Sequence, residues 1–354
     1  MALMSRKGKI MKVLISGADG YIGVLLAATL MERGHEVTGL DTGFYNEGWL
    51  YDGAIKPQIT IRKDVRSITA DELKGFEAVV HLAELSNDPL GENNPEITYQ
   101  INHQGSVNLA RKCKQAGIQR FLYSSSCSVY GAGSEEYVTE ESATAPQTAY
   151  ARCKVLVERD LAGMADDNFS PTVLRNATAY GPSPRMRFDL VLNNLAGLAW
   201  TTREIKMTSD GSPWRPVVHV LDICEAMTRC LEAPRELIHN QIFNVGDTRQ
   251  NYRIKEIAEI VAEAFPDCKI TFGQSDGDRR SYRVCFDKIS ARLPGFTCQR
   301  DARAGAEELR EVFERTHLSH EVFVFRTFTR LKQLDYLVRT RQINDFLFWQ
   351  PAAA

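Results

Sequence analysis

Tyr150 and Lys154 stand four residues apart, in Tyr150-Ala151-Arg152-Cys153-Lys154, and so share one face of any helix that carries them. An ammonium beside a phenol stabilises the phenolate, so the pairing predicts a tyrosine pKa drawn down toward the working pH. Such a phenol can pass a proton to or from a sugar or alcohol oxygen while hydride moves elsewhere. Twenty-four residues upstream lies Ser126, within Ser124-Ser125-Ser126-Cys127-Ser128-Val129-Tyr130-Gly131. At the end of a strand its hydroxyl can hydrogen-bond the same reacting oxygen. A tyrosine and lysine at this spacing are common by chance; the serine cluster is what singles this pair out.

A second site is written near the start of the chain. Gly17-Ala18-Asp19-Gly20-Tyr21-Ile22-Gly23 follows the apolar run Lys12–Ser16 directly. Glycines there allow a tight turn and bring backbone N–H groups against a pyrophosphate, with the following helix pointing its positive end at it. Asp41, 24 residues after Gly17, falls at the end of the next strand candidate. A carboxylate in that place accepts hydrogen bonds from ribose hydroxyls and repels a 2′-phosphate, which favours NAD over NADP.

The elements that must position these groups alternate along the chain. Strand candidates at 12–16, 35–40, 58–62, 77–82, 120–125 and 171–175 are separated by helical stretches at 21–33, 94–116 and 150–164. That rhythm predicts an α/β fold with a Rossmann-type, doubly wound parallel sheet. Beyond Tyr180-Gly181-Pro182 the rhythm becomes irregular. We therefore expect a nucleotide-binding domain over 11–180, to which segments near 215–250 return. A smaller C-terminal substrate lobe follows over 181–300, and an extra helical tail over 301–354.

Together the motifs resemble those of the extended short-chain dehydrogenase/reductases, specifically the nucleotide-sugar epimerase/dehydratase group. The resemblance runs from Met11 to about Lys288. It rests on the glycine turn, Asp64-Val65, His81-Leu82-Ala83, Asn102-His103-Gln104-Gly105, the serine cluster with Tyr150 and Lys154, and Arg175-Asn176 ahead of Tyr180-Gly181-Pro182. In the family's pattern the asparagine does not follow the arginine directly, as Asn176 does here. The resemblance implies Ser126, Tyr150 and Lys154 as catalytic residues. It implies a cofactor site of Gly17, Gly20, Tyr21, Ile22, Gly23, Asp41, Asp64, Val65, Leu82, Ala83 and Asn102, with Tyr150 and Lys154. Ser126, Cys127, Ser128, Asn176, Asn194, Arg215 and Arg280 are the implied contacts for a sugar-nucleotide substrate. A homodimer built on the helices around 95–116 and 149–164 is implied as well.

The family supports several reactions, and the two positions after Ser126 help to choose among them. Dehydratases of the group resemble one another in carrying an acid pair there, and decarboxylases a glutamate at the second position. Here they are Cys127 and Ser128, which favours an NAD-dependent nucleotide-sugar epimerase, working at C4 through a transient 4-keto sugar. Alternatives are a ketoreductase or dehydratase of the same family and, more distantly, a non-catalytic NAD-binding sensor. Cys127 reads either as a small side chain lining the pocket or as an acid/base.

Composition narrows the remaining classes. The 354 residues carry 43 basic and 45 acidic side chains, a formal net charge of −2, so no global field holds nucleic acid or an anionic membrane. The apolar runs are too short to span a bilayer. None of the eight cysteines has CxxC spacing, so no metal knuckle is expected, and cytoplasm is the expected compartment. In the tail, Leu331, Leu334 and Leu337 recur at helical spacing among many basic residues, which predicts a helix covering a lobe edge, closing over the substrate or mediating assembly.

Overall fold

The computed structural model describes residues 9–351 apart from 54, 87, 132–135, 208, 275–279 and 294. Seven strands form the central sheet: β1 (Lys12–Ser16), β2 (Glu36–Asp41), β3 (Ile59–Arg62), β4 (Ala78–His81), β5 (Arg120–Ser126), β6 (Ser170–Asn176) and β7 (Gln241–Val245). They pair in the order β7-β6-β5-β4-β1-β2-β3, and every pairing is parallel. The chain winds outward from β1 in one direction and then, from β4, in the other. Crevices for ligands open at the carboxyl ends of the strands where that reversal falls, here between β1 and β4.

Strand residues are buried alternately in two cores, as a sheet covered on both faces requires. Val13, Ile15, Ala78, Val80, Leu122 and Leu174 face one layer. Leu14, Leu40, Val79, Phe121, Tyr123 and Val173 face the other. The covering helices include α1 (Gly23–Glu32), α2 (Ser106–Gln115), α3 (Ala149–Met164) and α5 (Val220–Glu232), with α4 (Val191–Thr202) and α6 (Ile254–Ala264) in the second lobe. The stretch 94–116 is helical but not uniform. A short helix over Pro95–Thr98 passes through a π-helical segment at Tyr99–Gly105 before α2.

The later half of the chain divides between the central sheet and a separate one. Of the segments expected to return to the first domain, Gln241–Val245 does join the central sheet, beside β6. Trp214–His219 does not. It pairs in parallel with Thr178–Tyr180 and antiparallel with Asn251–Arg253 in a separate three-stranded sheet. The tail is helical, as expected, and its helices pack in two different cores. Helix α7 (Ala302–Arg315) buries Ala306, Leu309 and Phe313 in the core of the second lobe. Helix α8 (Arg330–Arg339) instead crosses to the first domain, where Leu334, Leu337, Ile343 and Leu347 pack on Phe44, Leu85, Ile97 and Ile101.

Candidate active site

The glycine turn has the geometry its sequence suggests. Gly17 sits at φ 78°, and its N–H donates to Leu40 O (2.7 Å). A Cβ on Gly17 would lie 2.9 Å from Ala83 N, and one on Gly23 would lie 2.1 Å from Gly17 O. Neither position accepts a side chain, because the turn is pressed against β4's exit on one side and folded onto α1 on the other. The Tyr21 phenol turns away to donate to Gly181 O (2.6 Å), tying the turn to the second lobe.

Asp41 ends β2, where its carboxylate accepts from the N–H groups of Asp19 (3.0 Å) and Gly43 (2.8 Å). Burial raises its pKa despite those donors. The structure also brings Arg62 and Lys63 beside this edge, which linear distance from Asp41 concealed. Each is already paired with a carboxylate, Arg62 with Asp19 and Lys63 with Glu72.

A cavity of about 660 Å³ runs from this turn across the strand ends into the second lobe. Gly17, Gly20, Tyr21, Ile22, Gly23, Asp41, Asp64, Val65, Leu82 and Ala83 line one end. Ser126, Ser128, Tyr150, Lys154 and Asn176 line the same cavity, and so do Asn194, Arg215 and Arg280. Two expected contacts are placed elsewhere. Asn102 is fully buried outside the cavity lining, its amide exchanging two 2.9 Å hydrogen bonds with the backbone of Leu85. It fixes the loop after β4. Cys127 also does not line the cavity: its thiol donates to Arg175 O (3.2 Å), and burial pushes its pKa up. A buried protonated thiol aimed into the sheet is neither wall nor acid/base.

The catalytic candidates converge because three elements end together. Ser126 terminates β5, and its Oγ accepts from Ser128 N (3.1 Å) to cap the following turn. Thr148 caps α3 by accepting from Ala151 N (3.1 Å), which sets Tyr150 in the first helical turn and Lys154 one turn on. Ser126 lies near enough to the Tyr150 phenol to draw its pKa down, and Lys154 Nζ lies 5.3 Å from that ring's centroid.

The expected fall in the Tyr150 pKa does not occur. It is raised, first by burial; Lys154 and Ser126 pull it down while Glu84 and Asp88 push it up. Sequence reasoning missed Glu84. It is buried at the cavity wall, ion-paired with Lys154, and accepts from Tyr123 OH (2.7 Å). Its only signal was position, three residues beyond β4 at the edge where the other functional groups collect.

The substrate end is polar and partly unsatisfied. Ser128 Oγ and Asn176 Oδ1 are buried without a hydrogen-bond partner among the described residues, which suits a polar ligand in the cavity. Arg280 is paired with Asp88, and Arg215 donates to Trp214 O (2.8 Å) and to Arg280 O. Asn194 donates to Phe188 O (2.9 Å). Asp64 is held bidentately by Arg66 (2.9 and 2.7 Å).

A glycine turn at a sheet's switch point, opening into one cavity with a serine, a tyrosine and a lysine, defines a class. The chain belongs to the NAD dependent epimerase/dehydratase family, whose model matches residues 13–246. It is an NAD-dependent enzyme of that family. It is 30% identical over 271 residues to the UDP-glucose 4-epimerase of Corynebacterium glutamicum, across 72% of this chain and 80% of that one. Protein CapI of Staphylococcus aureus is 31% identical over 242 residues, covering 63% and 70% respectively. Among solved structures, MoeE5 in complex with UDP-glucose and NAD superposes with a TM-score of 0.74 at 27% identity, covering 87% of this chain and 100% of that one. No helix among the described residues is long and apolar enough to cross a membrane.

Proposed function

We propose that this enzyme is a nucleotide-sugar 4-epimerase. The observation that carries the reading is the convergence of Ser126, Tyr150 and Lys154 in the same cavity as the glycine turn and Asp41, with no carboxylate at the two positions after Ser126. NAD, when bound, supplies a hydride acceptor that can return the same hydride, so no net redox change is needed. The turn at Gly17–Gly23 would hold its pyrophosphate, Asp41 its adenosine ribose, and Lys154 its nicotinamide ribose.

Tyr150 takes the proton of the sugar's C4 hydroxyl, and Ser126 donates a hydrogen bond to the same oxygen as it becomes a carbonyl. Lys154 stabilises the phenolate while it exists. After the keto sugar turns over in the cavity, Tyr150 returns the proton and the opposite configuration results. Arg215 and Arg280, with Asn194, Ser128 and Asn176, would hold the sugar nucleotide. Tyr150→Phe is expected to abolish turnover of a responsive sugar nucleotide while leaving NAD bound. Near wild-type rates in that variant refute the assignment. Net consumption of cofactor would indicate a ketoreductase, and release of water a dehydratase.

The same reading carries a homodimer packed through α3 and the 95–116 helices, checked by a solution mass twice that of the chain. The division at about residue 180, with a second lobe to 300, belongs to it too. So does a cytoplasmic location, which suits eight free thiols.

A further inference from the structure

Arg330 opens α8, far beyond the span that the family model matches. It is only 4% exposed, yet it lines the cavity. Its guanidinium lies over the ring of Tyr45 at 3.9 Å, and no carboxylate, carbonyl or hydroxyl among the described residues pairs with it. The charged and titratable groups that face it are Arg187, Tyr45, Asp189 and Asp41. Arg187 already holds Asp189 bidentately (2.9 and 3.0 Å), so that carboxylate is shared.

A second arginine nearby, outside the cavity lining, also has unfilled donors. Arg185 donates through Nε to Asp19 O (2.8 Å), inside the glycine turn, but both of its Nη atoms are buried without a partner. Arg185 and Arg330 disfavour each other's charge. Buried like charges with unfilled donors are costly unless an anion completes them. Arg330 lines the cavity that the glycine turn also lines, so an anion held at that turn is within the same space.

The segment that delivers Arg330 is latched onto the loops after β2 and β3. Trp349 Nε1 donates to Thr42 O (2.7 Å), and Gln333 donates to Phe44 O (2.9 Å). Arg66, which holds Asp64, donates to Phe346 O (3.0 Å).

We propose that Arg330 is a diphosphate-binding residue of the dinucleotide site, carried by a C-terminal clasp (residues 326–350) into the cavity that the glycine turn also lines. Retention of NAD between turnovers then depends on the tail. This rests on the placement of NAD over Gly17–Gly23.

The test uses full-length Arg330→Met, which keeps a stem against Tyr45, together with Arg330→Lys, Trp349→Ala and Gly23→Ala. Release of NAD and the affinities for NAD and for UDP are measured, with thermal melts of NAD-free protein. Loss of a charged hydrogen bond is expected to weaken NAD roughly 10- to 100-fold in Arg330→Met, with UDP affinity within about threefold of wild type. Arg330→Lys is expected to fall between the two, and Trp349→Ala to speed NAD release. NAD-free Arg330→Met is expected to melt at or above the wild-type temperature, because an uncompensated buried charge has gone. A residue with a merely structural role would lower that temperature instead, and this result overturns the proposal.

Weakened UDP binding with unchanged NAD binding would place Arg330 on the substrate's diphosphate and also overturn it. Wild-type NAD retention in Arg330→Met refutes the clasp if Gly23→Ala loses NAD. If Gly23→Ala keeps NAD as well, the placement over the turn fails with it.

Discussion

Replacing Glu84 by glutamine tests the electrostatics of the proposed catalytic pair. The Glu84 and Lys154 side chains are 3% and 5% exposed, so water screens their attraction little. A unit pair about 3 Å apart at an effective dielectric of about 20 attracts by about 5 kcal/mol. Removing one partner of a buried pair costs about 3–5 kcal/mol, because the other charge is left uncompensated. Unfolding entropy of about 2.1 cal/mol/K per residue, summed over 354 residues, converts this to a drop of about 4–7 °C in Tm. The deficit has a pH signature. In the wild type Glu84 helps to raise the Lys154 pKa, so its stabilisation is fully present at neutral pH and is lost only as pH rises through the raised value. In Glu84→Gln burial acts without that carboxylate and favours the neutral amine. The unfolded chain then binds the extra proton, and stability rises with pH. Calorimetry at about pH 7 and pH 9.5 should therefore show a large deficit that narrows. Activity reports the same charge: a Lys154 that loses its proton no longer pulls the Tyr150 pKa down, so the acidic limb of the pH–rate profile moves upward. A variant melting within about 1 °C of wild type at pH 7, with an unmoved profile, refutes this account.

Two further outcomes follow from buried groups. His81 is fully buried between the hydroxyls of Ser16 (2.6 Å) and Ser106 (2.7 Å), and desolvation lowers its pKa to about 3. Since the unfolded histidine titrates near 6.5, the protein should lose about 1.4 kcal/mol per pH unit below that value, or about 2 kcal/mol by pH 5. Denaturant titrations of His81→Asn should lack that slope; an unchanged slope would assign it to other groups. Cys127→Ala should cost about 1 kcal/mol of stability and leave kcat within about twofold. A tenfold fall in kcat with the fold intact would return the thiol to the reaction.

Much of the site could be read in the residues because its signals are local. A glycine turn after an apolar run, a carboxylate at the next strand's end, and a tyrosine four residues before a lysine each depend on backbone geometry over a few residues. Parallel strands all place their carboxyl ends at one edge, so these separate signals had to converge. Asn102 and Cys127 misled for a complementary reason: Cys127 directly follows the end of β5 and Asn102 sits in the π-helical segment before α2, but both side chains turn to backbone partners instead of the cavity.

Alternation of strand and helix fixed the α/β class and the cofactor turn without any knowledge of contacts. Only the tertiary structure decided which charges meet. Glu84 with Lys154, Asp88 with Arg280, and Arg330 beside Arg187 join positions up to 192 residues apart, and nothing in their local spacing records those encounters. The direction of the Tyr150 pKa was decided there as well. It depends on how far the phenol is removed from water and which carboxylates share its dielectric, and a linear spacing to Lys154 carries neither quantity.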